Sequence, residues 1–171
     1  TETGSDMKYL LMSLVLLLTW APITHASDTA PWGRGKASGV EYKPRKVVYD
    51  VAVSNIKTFE RVLDRASYLN NLYNADPFSA SIILVLHGDE INFFAIKNHP
   101  EYAELMRRAQ SLTVGGIIKY RMCTVAARMH GYEPKDIHGF VEMVPMADAE
   151  IIRLQTEDGY AYMPVSYTHL T

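Results

Sequence analysis

The residue with most chemistry to offer is Cys123, the one cysteine among 171 residues. It follows the run Val114-Gly115-Gly116-Ile117-Ile118-Lys119-Tyr120-Arg121-Met122 and opens Thr124-Val125-Ala126-Ala127-Arg128-Met129-His130-Gly131, which reads as a helix. A thiol at a strand-to-helix junction feels the partial positive charge of the helix N-terminus, which favours the nucleophilic thiolate. Such a sulfur could carry a persulfide or enter a mixed disulfide. The competing reading is a buried, inert thiol that packs as a small apolar side chain. His87, which ends the apolar run 80–86, is the second candidate. As an imidazolium lining the site it would stabilise a thiolate. Its plainer reading is a loop histidine making a structural hydrogen bond. Lys119 and Arg121 alternate onto the face of Cys123 if their strand stays regular.

Other motifs are sparse. His130 and His138 are not at a helical metal-pair spacing and no second thiol joins them, so no metal is expected. The G-x-G-x-x-G and G-x-S-x-G patterns are absent, so no cofactor and no complete catalytic set is expected. Whether the chain is an enzyme stays open, since its residues supply no complete catalytic set. With 17 basic and 19 acidic residues the net charge is −2, which points away from nucleic acid. A composition of 48% hydrophobic and 21% charged residues suits one domain around one core.

The first six residues carry no structural signal. From Met7 the chain has a basic start, an apolar stretch at 10–18, and the small-x-small pattern Thr24-His25-Ala26. These describe a secretory signal peptide over 7–26. The rival, an uncleaved anchor, needs about 20 apolar residues, and Pro22 and His25 interrupt this stretch early. The mature protein is therefore expected in the periplasm or secreted, with no membrane attachment after cleavage. Residues 27–45, with Pro31, Gly33, Gly35, Gly39 and Pro44, read as a linker. Residues 165–171 read as a non-native tail.

The elements that must position the candidates lie between. A β-branched run at 46–53 predicts a first strand. Ser54 or Asn55 can cap a helix whose apolar residues Ile56, Phe59, Val62, Leu63, Ala66, Leu69 and Leu72 recur at helical steps. The run 80–86 suits a central parallel strand covered on both faces. A helical segment at 91–96, a helix started by Pro100, a third strand at 116–122, the helix after Cys123 and a turn or short helix at 133–138 follow. A fourth strand at 139–145, a helix at 148–156 and a last strand at 160–163 complete the pattern. Alternating strands and helices predict a three-layer α/β fold: a mostly parallel sheet of about five strands with helices on both faces. Ligands of such sheets sit beyond the C-terminal strand ends. Segment 50–55, His87-Gly88 and Cys123 all fall there.

Over residues 46–164 the chain resembles the DsrE/DsrF-like family. The resemblance rests on Val85-Leu86-His87-Gly88, Tyr120-Arg121-Met122-Cys123, Asp136-Ile137 and Phe140-Val141-Glu142-Met143-Val144-Pro145. It extends through Ala149-Glu150-Ile151-Ile152-Arg153-Leu154-Gln155 and Gly159-Tyr160-Ala161-Tyr162. It implies a compact α/β domain that forms homo-oligomers, often trimers or hexamers. In sulfur-oxidising members a cysteine carries sulfur as a persulfide between partner proteins. By that analogy Cys123 is the candidate sulfur carrier, His87 lines its site, and a donor or acceptor protein is the partner. The alternative is a non-catalytic oligomeric binding module in which Cys123 is structural.

Overall fold

The computed structural model describes residues 32–165. The expected signal peptide and tail residues 166–171 lie outside the described residues. Residues 32–39 belong to a unit separate from the one beginning at Val40. Within 32–39 there is no helix or strand. The second unit holds the sheet and its helices.

Five strands and four α-helices alternate along it. They are β1 (Lys46–Val51), α1 (Ile56–Leu72), β2 (Ser81–Leu86), α2 (His99–Ser111) and β3 (Ile118–Cys123). Next come α3 (Thr124–Met129), β4 (Val141–Val144), α4 (Ala147–Thr156) and β5 (Ala161–Val165). The expected helical segment after Gly88 is a 3-10 helix, Asp89–Phe94, and further 3-10 turns cover Ile96–Asn98 and Pro134–Asp136. Val165, read as part of the tail, instead ends β5, pairs with Val51 and is 2% exposed.

The sheet runs β4-β3-β2-β1-β5, and every pairing is parallel. From β1 to β4 each strand adds on the same side of the last. The final connection then reverses and lays β5 on the far edge of β1. Crossovers between parallel strands are almost always right-handed, so a reversal of direction moves the connecting helix to the opposite face. The packing agrees. One face buries Phe59, Val62, Leu63 and Ala66 of α1 with Leu105, Met106 and Ala109 of α2. The other buries Ala147, Ile151 and Leu154 of α4 against Val48, Ile83 and Val85. The three layers expected from sequence are present, with the helices divided unequally between the two faces.

Local chemistry sets the element ends. Asn55 caps α1, its Oδ1 accepting from the Thr58 N–H at 2.9 Å. Phe59 is fully buried, with the rings of Phe93 and Phe94 at 6.0 and 5.5 Å. Truncation of such a phenylalanine to alanine costs about 3–5 kcal/mol. β2 is buried on both faces from Ile82 to Leu86, which explains its unbroken apolar run.

Candidate active site at the strand ends

Side chains alternate along a strand, so residues two apart share a face. Val48, Ile83, Val85 and Cys123 pack together on the α4 face. Asp50, His87 and Arg121 follow on that face by the same count. Register sets their height. Val51 pairs with Leu86, and Leu86 with Met122. His87 and Cys123 are each one step beyond those pairs. They therefore stand level on neighbouring strands.

Their side chains have different hydrogen-bond partners. His87 Nε2 lies 2.5 Å from Asp50 Oδ1. The other carboxylate oxygen, Oδ2, accepts from the Tyr162 hydroxyl at 2.5 Å. Asp50 thus holds His87, the residue just past β2, on one side and Tyr162 of β5 on the other. Side-chain exposures of 29% for His87 and 24% for Asp50 leave the pair open to solutes. The hydrogen bond to Asp50 raises the Tyr162 phenol above its ordinary value of 10.0, with minor help from burial and the carboxylate charge. β1 and β5 are also where the strand order reverses, the position at which sheets of this kind open a crevice for ligands.

Cys123 ends β3 and is the N-cap of α3. Its Sγ accepts from the Ala126 N–H at 3.4 Å. The residue is 5% exposed and packs with Val48, Ile83, Val85, Ala147, Ile151 and Leu154. The helix it caps is six residues long, shorter than the run to Gly131 suggested, although Gly131 does adopt the left-handed backbone (φ +80°) expected of a helix end.

Arg121 does not serve the thiol. Its Nε donates to Glu142 of β4 at 2.8 Å and its Nη1 to Glu150 of α4. Glu150 also accepts from Arg153 at 3.1 and 2.9 Å. The Arg153 bonds first, and the Arg121 charge after, hold the Glu150 carboxyl below its ordinary range against the opposing pull of burial. This network fastens α4 over β3 and β4. Lys119 is exposed.

A carboxylate that sequence reading placed only in a helical first turn closes the loops below the site. Glu90 is fully buried. Its Oε2 accepts from Val53 N–H and its Oε1 from Gly88 N–H, each at 2.8 Å. Its own N–H donates to Val53 O at 3.0 Å. Burial pushes its pKa up, and the two backbone N–H bonds pull part of the way back. Gly88 permits the approach: a Cβ there would lie 2.6 Å from Glu90 Oε2, 2.8 Å from Ala52 Cα and 2.9 Å from Val53 N. Beside this clamp, at the ends of β1 and β2, a cavity of about 250 Å³ is lined by Val53, Ser54, Asn55, Thr58, Gly88 and Asp89, among others.

No family model matches this chain, and no curated protein does. Among solved structures it is similar to a protein of unknown function, MTH1491 from Methanobacterium thermoautotrophicum. The two share 23% identity over 70% of this chain and 98% of that one, with a TM-score of 0.49. A likeness of that size carries no argument about activity, and the fold stands on the sheet described above. Among the described residues no helix is long and apolar enough to cross a membrane.

Proposed function

We propose that this chain binds or relays sulfur through Cys123, with His87 lining the site and Asp50 fixing its ring. What supports the reading is the level placement of Cys123 and His87 on one face at the strand ends. The Ala126 N–H directed at Sγ offers a negative sulfur a donor. In the relay step the thiolate attacks the outer sulfur of a persulfide or polysulfide donor. One S–S bond forms, another breaks, and the donor leaves as a thiolate, so no outside oxidant is needed. The same proposal makes the protein an exported homo-oligomer that meets a sulfur donor or acceptor protein.

A second reading rests on a specific observation. Cys123 is 5% exposed among aliphatic side chains, as a structural cysteine in a non-catalytic binding module would be. One experiment separates the two. Native protein is treated with polysulfide and examined by intact mass, then alkylated before and after unfolding. Gain of sulfur on Cys123 with native-state alkylation supports the relay. A thiol that reacts only after unfolding and gains no sulfur supports the structural reading.

A further inference from the structure

On the sheet face opposite Cys123, a separate cavity of about 370 Å³ lies between α2 and the segment entering β4. His99, Met106 and Arg107 of α2 line it, with His138 and Phe140 across from them. Tyr102, with non-helical backbone angles (φ −108°, ψ 17°), kinks α2 between His99 and Met106, and both residues line the cavity. His138 is held from several directions. Its backbone N–H donates to Phe94 O at 3.1 Å. Its ring stacks on Phe140 at 5.9 Å and 14° and meets the His99 ring edge-on, centroids 5.4 Å apart.

That fixed ring presents a nitrogen with nothing to bind. His138 Nε2 is buried and has no hydrogen-bond partner, which folded proteins rarely tolerate without a reason. No carboxylate lines the cavity and Gln110 offers it a single side-chain carbonyl, short of the roughly six or more oxygens that calcium and magnesium take. Arg107 is bonded to Glu104, which offsets its charge. The described residues hold no group of three or more His, Cys, Asp or Glu side chains suited to a metal. Beside the Gln110 amide the donors are two imidazoles and a thioether. Thioether sulfur selects copper(I), and imidazole suits copper as well.

We propose that His99, His138 and Met106 form a binding site for a copper(I) ion. The site is independent of the sulfur chemistry proposed for Cys123.

The test is anaerobic titration of the full chain with copper(I) against a chromophoric chelator. One ion per chain is expected, and the Cys123→Ser variant retains it. His99→Ala and His138→Ala each weaken binding by at least about tenfold, since even the loss of a group that merely orients a ligand costs about 10–100-fold. Met106→Leu weakens copper(I) too. Thermal melts report whether each variant folds, and exposed His99 decides the matter if His138→Ala unfolds. Failure to retain copper against the chelator overturns the proposal. So does affinity unchanged in His99→Ala, or copper lost in Cys123→Ser, which would assign the ion to the thiol.

Discussion

Asp50 and His87 lie 37 residues apart in sequence and 2.5 Å apart across the junction of β1 and β2. The carboxylate uses its remaining oxygen on Tyr162, so three strands converge on one side chain. A change at Asp50 should therefore be felt on both sides.

Tyr162 gives the cleanest readout. Its phenol is raised chiefly by the bond to Asp50. Asp50→Asn should bring that phenol back toward 10.0. NMR titration of labelled tyrosine ring carbons would follow it among the 11 tyrosines of the chain. A Tyr162 titration identical in the variant would contradict the hydrogen bond.

Gly88 should resist any side chain. Gly88→Ala sets a methyl within 2.6 Å of the Glu90 carboxylate and 2.8 Å of the Ala52 backbone. Overpacking of that kind costs about 1–3 kcal/mol or more. Gly115→Ala, with nothing within 4 Å of its Cβ position, is the control and should shift stability far less. Urea melts of the two variants make the comparison.

Glu90 sets one pH dependence. Its folded pKa lies above the ordinary 4.5 because of burial. Between those values the folded chain keeps a proton that the unfolded chain has released. Its contribution to stability is present below about 4.5 and is lost as pH rises through the folded pKa. Glu90→Gln should remove that decline. It should also destabilise the protein by about 1–3 kcal/mol, because an amide has one acceptor for two backbone N–H groups. A difference between wild type and variant that is flat across this range would sink the assignment.

Glu150 acts with the opposite sign. Arg153 and Arg121 hold its folded pKa below 4.5. Its contribution is full above 4.5 and is lost as pH falls through the lowered folded value. Its side chain is 11% exposed and Arg121 is 16% exposed, so the network lies between the surface and buried cases. Glu150→Gln should cost about 1–3 kcal/mol at neutral pH and flatten the acid limb of the stability curve.

Much of this fold is legible in the sequence because its signals are local. The apolar run of β2, the helical period of α1 and the Asn55 cap need no partner to be read. Strand order does need one. Nothing in 161–165 announces that it pairs with β1 rather than β4, since that follows from the reversal of the last crossover. The candidate site divides in the same way. His87 and Cys123 stand out as strand-end residues of reactive type. Asp50 fell inside a flagged segment, but its bonds to His87 and Tyr162 depend on register. Arg121 was expected to attend Cys123 by strand alternation. Glu142 and Glu150 claim it instead, and they come from elements whose position no spacing reveals. Glu90 looked like an ordinary first-turn carboxylate because burial leaves no mark on a lone residue type.

The place of β5 has a consequence for synthesis. Asp50 and Tyr162, which meet in the finished fold, are separated by 112 residues. β1 emerges before β5, so one edge of β1 waits without its neighbour until residues 161–165 have left the ribosome. A chain cut short before residue 161 can still pair β1 to β4, but it leaves Asp50 half-satisfied and the crevice unbuilt. Docking of β5 against β1 is thus a condition for completion of the site.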